Sequence, residues 1–182
     1  MKKIKIEAGL TGTRPIMFDR FESMKTELTP LDKVYAEDGF LYLPSKNIMS
    51  FLGASNTESA PKRIMGKKWK TIAKAALSFV NIIDDKIFFI GDNGKIKKDS
   101  NQIYIDSDKA IVMKGSLAIP SPKERPVLKL PWGLNFKIEL FDNVDLNEAI
   151  LRRLFDEGGI TIGLGTFRGV YGKFELTKWE IK

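Results

Sequence analysis

The stretch from Trp132 to Leu140 alternates apolar and polar residues more regularly than any other part of the chain. Its apolar members are Trp132, Leu134, Phe136, Ile138 and Leu140. A period of two is typical of a β-strand with one buried face, because successive side chains point to opposite sides of a strand. The chain therefore has to supply both partner strands and elements that pack on the apolar side of the sheet.

The remaining periodicities predict further strands and helices. Alternation predicts a strand near each end, over residues 3–8 and 173–181, and helical spacing predicts helices over Ser45–Gly53 and Pro61–Val80. A third helix is predicted with Asp145 as its N-cap and Gly158-Gly159 as its end. Shorter strand-like runs are 31–35, 40–43, 82–83, 86–90, 102–105 and 110–119.

Three connecting segments are also informative. Residues 22–33 are polar and contain the breaker Pro30, and Asp92-Asn93-Gly94 is a hairpin-turn signal. The segment 120–131 holds four of the eight prolines, which favours a loop or a sheet edge because proline cannot donate to a strand ladder. The predicted order is thus strand, helix pair, several strands, helix and final strand.

This order predicts an α+β fold in which an antiparallel sheet carries its helices on one face. Its core is a strand-helix-strand-strand-helix-strand unit with inserted β-hairpins. A length of 182 residues fits one domain over 1–182, with a β-rich and proline-rich elaboration at 84–131.

The composition excludes several classes of site. The chain has no Cys and no His, which removes thiol nucleophiles, Ser-His triads, and zinc or iron–sulfur sites built on those residues. Paired carboxylates at Asp84-Asp85 and at Asp106 and Asp108 are interpreted as solvated turn residues, so we predict no metal and no cofactor. No apolar run is long enough to span a bilayer, and we expect a cytoplasmic protein without a membrane partner.

The excess positive charge is concentrated in one segment. Residues 61–74 contain six basic residues and no acidic one, whereas the rest of the chain has 24 basic and 23 acidic residues. Clustered Lys and Arg side chains bind phosphate backbones, and Arg63, Lys67, Lys70 and Lys74 are the candidate contacts. The alternative is that these side chains only form the solvated face of an amphipathic helix.

A second candidate is the segment 158–172, which holds six of the fifteen glycines. Glycine lets backbone N–H groups approach an anion, and aromatic side chains stack on bases. The candidate nucleic-acid-binding residues are Gly163, Gly165, Phe167, Arg168, Gly169, Tyr171 and Lys173. The segment lacks the Gly-Lys-Ser/Thr ending of a P-loop, and the alternative is a twisted hairpin that needs glycines for its geometry.

Three stretches resemble the RAMP superfamily, the repeat-associated RNA-binding proteins of CRISPR systems. The sequence from Ile162 to Glu175, IGLGTFRGVYGKFE, resembles the C-terminal glycine-rich loop of that family, and FLYLPSKNI at 40–48 resembles its approach to the first helix. The first strand followed by GTRPIM at 12–17 resembles the start of its backbone subunits and of small phage proteins of similar design. Unlike many members, this chain has Ser45-Lys46-Asn47 where a glycine follows the proline.

The resemblance implies a ferredoxin-like, RRM-related domain that binds single-stranded RNA, or DNA, as a subunit of a homo- or hetero-oligomeric assembly. The assembly is CRISPR-related or phage-encoded. An endoribonuclease on the same fold is the first alternative, because Asp19 lies where cutting backbone subunits carry an acidic residue. Asp19 is also interpretable as an ion-paired loop residue beside Arg14 and Arg20. The second alternative is a phage structural protein that docks a partner through 120–131 and binds no nucleic acid.

Overall fold

The structure is a computed structural model that describes residues 1–21 and 28–182. Its strands are β1 (Lys2–Gly12), β2 (Ile16–Met17), β3 (Ala36–Glu37), β4 (Phe40–Pro44), β5 (Val80–Ile82), β6 (Lys86–Phe88), β7 (Ile90–Gly91), β8 (Gly94–Lys95), β9 (Ile103–Lys114), β10 (Leu117–Leu128), β11 (Gly133–Asp142) and β12 (Phe174–Ile181). Its helices are α1 (Ser45–Gly53), α2 (Ala60–Ile64), α3 (Trp69–Phe79) and α4 (Glu148–Thr161), and 3₁₀ turns lie at Pro30–Lys33 and Gly66–Lys68. The first half of the polar segment 22–33, residues 22–27, lies outside the described residues.

The central sheet confirms the predicted fold class. Its core strands run in the order β12, β1, β11 and β5, the short strands β7 and β8 continue the sheet from β11, and every neighbouring pair is antiparallel. β1 and β11 pair over their whole lengths, from Lys2 opposite Asp142 to Thr11 opposite Gly133. Because α1, α2 and α3 lie between β1 and β5, and α4 lies between β11 and β12, the chain forms the predicted strand-helix-strand-strand-helix-strand unit of a ferredoxin-like fold.

The helices pack on one face of this sheet, as the alternating sequences predict. Ile4, Ile6, Ala8 and Leu10 of β1 are buried on that face, together with Leu134, Phe136, Ile138 and Leu140 of β11. Phe155 of α4 contacts Phe51 of α1 and Phe136 of the sheet, with ring centroids 5.6 and 6.0 Å apart. The opposite face carries charged side chains such as Lys3 and Glu139, whose Nζ and Oε1 atoms lie 2.6 Å apart.

The predicted helix over Pro61–Val80 is divided into α2 and α3. Gly66 adopts a φ of 51°, which a right-handed helix cannot continue through, and a 3₁₀ turn follows it. Lys67 lies in that turn, whereas Arg63 belongs to α2 and Lys70 and Lys74 belong to α3. The candidate phosphate contacts are therefore distributed over three elements instead of one helix face.

The region between β8 and β11 is a long β-hairpin, which corrects the predicted strand over 110–119. β9 and β10 pair along twelve residues each and turn at Gly115, so residues 110–119 include the turn instead of forming one strand. The proline-rich stretch enters β10, where β2 pairs only with Val127 and Leu128. Among the described residues no other strand pairs with that edge of β10, so Pro120 and Pro122 lie at a sheet edge, as predicted.

Two local predictions were wrong. Residues 31–35 do not form a strand, because Pro30 begins a 3₁₀ turn there. α4 is capped by Asn147, whose side chain accepts a hydrogen bond from the Ile150 N–H, and it continues past Gly158 to Thr161. Gly158 serves close packing: a Cβ there would lie 2.6 Å from the Ala60 Cβ and 2.8 Å from the Phe51 ring.

Candidate functional site

The glycine-rich loop, residues 162–173 between α4 and β12, folds back on itself. Gly163, Gly165, Gly169 and Gly172 all have positive φ angles, between 73° and 91°. At Gly172 a methyl group would overlap the carbonyl oxygen of Leu164, whose own N–H donates to the Gly172 carbonyl at 2.9 Å. The glycines are therefore needed for the conformation of this loop.

The backbone N–H groups of this loop are largely used within the protein. The Gly165 N–H donates to Asn47 Oδ1 on α1 at 3.0 Å, and the Gly172 N–H donates to the Pro15 carbonyl at 2.7 Å. The Gly163 and Gly169 N–H groups donate to carbonyls of α4 and its C-terminal end. These bonds fix the loop between α1 and the segment after β1, so its side chains, more than its N–H groups, are free to contact a ligand.

Arg168 attaches the loop to the helical layer. Its guanidinium donates to the carbonyl oxygens of Gly165 and Glu58, at 3.3 and 2.9 Å, and to Ser50 Oγ at 3.1 Å. Burial lowers the pKa of the Arg168 guanidinium, which still remains charged at neutral pH. All three acceptors are uncharged, and within residues 1–21 and 28–182 no carboxylate forms an ion pair with the Arg168 guanidinium.

Phe167 and Tyr171 lie on the outer side of the loop. The Phe167 side chain is 52% exposed and its φ of 56° is unusual for a bulky residue. Its ring centroid lies 6.0 Å from that of Tyr171, which is half-buried. Lys173 is also half-buried, and its carbonyl accepts from the Thr13 and Arg14 N–H groups. The structure thus presents one exposed aromatic ring, supported by a second.

A groove of about 720 Å³ lies between the loop, α1 and the strands β4 and β6. Its lining residues are Tyr35, Tyr42, Pro44, Ser45, Lys46, Asn47, Ser50, Asp85, Lys86 and Arg168. Lys46, Lys86 and Arg168 contribute positive charge, and Asp85 contributes one negative charge. Since Pro44 provides no side-chain cap, the first turn of α1 adds the positive end of the helix dipole to the groove.

Sequence reasoning assigned only Arg168 among these groove residues. Lys46 belongs to Ser45-Lys46-Asn47, the segment that departs from the RAMP pattern. The sequence signal that could have identified it as a binding residue was its position in the first turn of a predicted helix. Tyr35 lies beside Tyr42 because the Tyr42 N–H donates to the Tyr35 carbonyl at 3.0 Å, and Lys86 joins them because β4 pairs with β6, where Pro44 lies opposite Lys86. Lys86 Nζ contacts Glu37 Oε1 and lies 5.6 Å from the Tyr42 ring centroid, and the bond to Glu37 raises the pKa of Lys86.

The basic segment is only partly connected to the loop. Arg63 pairs with the Glu58 carboxylate at 3.2 Å, and the carbonyl of the same Glu58 accepts from Arg168. Within residues 1–21 and 28–182, no hydrogen bond or ion pair joins Lys67, Lys70 or Lys74 to the glycine-rich loop; their side chains are exposed on the helical layer. Arg63 is therefore the member of the predicted set that the structure brings beside the loop.

Asp19, the candidate catalytic carboxylate, lies in an ion pair. Its Oδ2 atom accepts from Lys123 Nζ on β10 at 3.2 Å, and its side chain is 16% exposed. In the described part of the chain, no group of three or more acidic side chains is arranged to hold a metal ion. The same residues include no helix that is long and apolar enough to cross a membrane.

Comparison with known proteins gives a match at the level of the fold. No protein-family model and no curated protein matches the sequence. Among solved structures, the chain matches a chain of the Type III-B Cmr-beta complex, determined by cryo-EM bound to cognate target RNA, with a TM-score of 0.60 and 15% identity. The match covers 99% of this chain and 61% of that chain, so this protein spans less than two thirds of the matched chain.

Proposed function

We propose that this protein is a non-catalytic RNA-binding subunit of the RAMP kind, which holds single-stranded RNA within a larger ribonucleoprotein assembly. The observation that carries the proposal is the charged groove beside the glycine-rich loop, where Arg168, bonded to uncharged acceptors, lines the same groove as exposed Lys46. The shared fold with a chain of an RNA-bound complex supports the same conclusion.

The groove has the two properties that single-stranded RNA needs. Its cations and the first turn of α1 attract phosphate groups, and each phosphate neutralised releases counterions, which favours binding at low salt. Tyr35 and Tyr42 line the same groove, and aromatic rings stack on bases with little regard to sequence. The groove therefore fits a strand bound mainly through its backbone, with stacking as the second contribution.

The environment of Asp19 favours RNA binding over RNA cleavage, and an exposed apolar patch favours a role within an assembly. Asp19 forms an ion pair with Lys123, which leaves it poorly placed to activate water or a ribose hydroxyl.

The far end of the β9–β10 hairpin carries three exposed apolar residues, Ile111, Met113 and Leu117, which are 70, 62 and 67% exposed. Apolar patches of this kind are typical of surfaces that contact other proteins, which supports a place in an assembly.

The test is the binding of fluorescently labelled single-stranded RNA over a range of salt concentrations, with single-stranded DNA of the same sequence in parallel. We expect binding at low salt that weakens linearly on a log–log plot. Replacing Lys46 and Lys86 by Gln should reduce the slope by about 0.7 for each phosphate that the variant no longer neutralises. No binding of the wild type at low salt would overturn the proposal.

Matched variants separate the groove from general charge. Lys178 and Lys182 pair with Glu7 and Glu180 on the sheet, so their double replacement by Gln removes the same charge away from the groove. That variant should keep the wild-type slope. Replacing Lys67, Lys70 and Lys74 by Gln decides whether the basic segment contacts RNA or only forms a solvated face.

A further inference from the structure

Arg125 on β10 is a buried cation without a hydrogen-bond or ion-pair partner among the described residues. Its side chain is 9% exposed, and its Nε atom is enclosed with no hydrogen-bond acceptor. Asp106 lies directly opposite Arg125 in the β9–β10 register, yet within residues 1–21 and 28–182 no ion pair or hydrogen bond engages the guanidinium. The terminal nitrogens supply the small part of the group that reaches solvent.

An arrangement of this kind is unfavourable for the unbound protein. A charged group loses its hydration when it is buried, and the loss is normally offset by a carboxylate or by several hydrogen bonds. Arg125 has neither within the described part of the chain, and a methionine of similar length would fill the same space without the electrostatic cost. Arg125 is therefore better explained by an anion that binds to it than by the stability of the fold.

The glycine-rich loop lies directly over this arginine. Arg125 Cζ is 5.9 Å from the centroid of the Phe167 ring, the exposed aromatic of the loop. Strand pairing brings Phe167 and Arg125 together. Thr166, which precedes Phe167, forms a β-bridge with Met17 of β2, and Met17 pairs with Val127 of β10. The loop, β2 and the base of the long hairpin therefore form one continuous surface.

Two more residues extend this surface along the hairpin. Tyr104 of β9 lies opposite Val127 of β10, which places the base of β9 in the same junction. Burial, and to a smaller extent the nearby Tyr171 and Asp106, raise the pKa of Tyr104. Lys129 Nζ lies 5.6 Å from the Tyr104 ring centroid. Cationic groups thus alternate with aromatic rings across the junction, as they do in surfaces that bind single strands.

We infer that Arg125 and Phe167 together bind one nucleotide of a single-stranded RNA, with a phosphate oxygen accepting from the Arg125 guanidinium and the base stacking on the exposed Phe167 ring. This inference rests on the proposed function and adds a second contact point to it, on the hairpin side of the loop. The groove lies on the other side, where Arg168 contacts α1. The RNA strand consequently passes over the loop instead of ending at it.

The first experiment compares Arg125→Met with Arg152→Met, which removes one charge from α4, where Arg152 pairs with Asp156 of its own helix. Arg125→Met should weaken RNA binding, reduce the salt slope by about 0.7, and leave the melting temperature of the free protein equal to or above that of the wild type. Arg152→Met should change neither slope nor affinity. An unchanged slope in Arg125→Met, or a melting temperature well below the wild type, would overturn the inference.

The second experiment tests stacking. Phe167→Leu should weaken RNA binding between about fivefold and a hundredfold without changing the salt slope, because a stacked base carries no counterions to release. Phe167→Tyr keeps a ring that can stack on a base and should bind RNA with the affinity of the wild type. A purely structural role for the side chain would not require this result. If Phe167→Leu binds as tightly as the wild type, the stacking assignment is wrong.

The result for the wild type separates this inference from the proposed function. If the wild-type protein fails to bind RNA, the proposed function fails and the inference with it. If the wild type binds, and Lys46 and Lys86 variants weaken binding while Arg125 and Phe167 variants do not, the groove is retained and only the second contact point is rejected. Ultraviolet cross-linking of RNA to the peptide containing Phe167 gives an independent reading of the contact.

Discussion

Replacing Gly172 by Ala should collapse the glycine-rich loop, and replacing Gly169 provides the matched control. Both glycines have left-handed φ angles, 73° and 91°, so either alanine incurs a conformational cost of about 1–2 kcal/mol. The two sites differ in their surroundings. Nothing lies within 4 Å of a methyl group at position 169, whereas one at position 172 would overlap the Leu164 carbonyl.

The additional cost at Gly172 follows from the hydrogen bonds that the overlap would break. The Gly172 N–H donates to the Pro15 carbonyl at 2.7 Å and its carbonyl accepts from Leu164 at 2.9 Å, and each bond contributes about 1 kcal/mol. Gly172→Ala should therefore lower the free energy of unfolding by about 2 kcal/mol more than Gly169→Ala does. The total for Gly172→Ala is about 3–4 kcal/mol.

Urea denaturation of the three proteins measures this difference by linear extrapolation, provided that the slopes agree. The same samples should be tested with labelled RNA, where Gly169→Ala is expected to bind and Gly172→Ala to bind poorly. Equal unfolding free energies for the two variants would refute the argument that the loop is defined by close contact at Gly172. Equal RNA binding by Gly169→Ala and Gly172→Ala would show that RNA binding does not depend on the geometry of the loop.

Three further predictions concern stability. Asp32→Asn should destabilise the protein at neutral pH, because the bond from Lys98 lowers the pKa of Asp32 in the folded state. The difference in unfolding free energy from the wild type should vanish as the pH falls below the usual aspartate pKa of 3.8. Urea denaturation curves at several pH values check this. Trp132→Phe should cost about 1–3 kcal/mol in the same assay, since the Arg14 carbonyl loses its 2.9 Å bond from the indole; an unchanged midpoint would contradict it. Asn147→Ala should cost about 1 kcal/mol by removing the N-cap of α4, whereas Asn147→Asp should retain most of the stability.

The sheet and its helices were predictable because their signals are periodic. Alternation in β1 and β11 identified the buried face, and the helical spacing of α1 and α4 placed apolar stripes against it. The order of these elements then permitted few topologies. The ferredoxin-like core follows from the pattern of apolar residues without knowledge of any individual contact.

Boundaries and inserted strands were predicted less well, for identifiable reasons. Gly158 and Gly159 suggested a helix end, but both lie within α4, and glycine occurs there because Ala60 and Phe174 pack too closely for a side chain. Residues 110–119 were interpreted as one strand, although Lys114-Gly115-Ser116 interrupts the apolar run and Gly-Ser between two strand-like runs is a hairpin-turn signal. The first error depends on contacts between distant segments, whereas the second is a local turn signal that was overlooked.

The candidate site divides in the same way. Arg168 and Phe167 were predicted from composition within one short segment. Lys46, Lys86 and Arg125 were not: Lys46 is positioned by the start of α1, Lys86 by the pairing of β4 with β6, and Arg125 by burial beneath the loop. An unpaired buried arginine leaves no trace in a sequence, since the acidic residue opposite it, Asp106, would ordinarily suggest an ion pair.

The partners of the glycine-rich loop precede it by a long stretch of chain. Asn47 comes 118 residues before Gly165, and Pro15 belongs to the segment that follows the first strand. During synthesis, Asn47 and Pro15 therefore remain without their loop contacts until the last helix and the loop have emerged from the ribosome. A chain that stops before the loop lacks the Gly165 and Gly172 N–H donors that fix this surface, so the surface forms only once the loop has been synthesised.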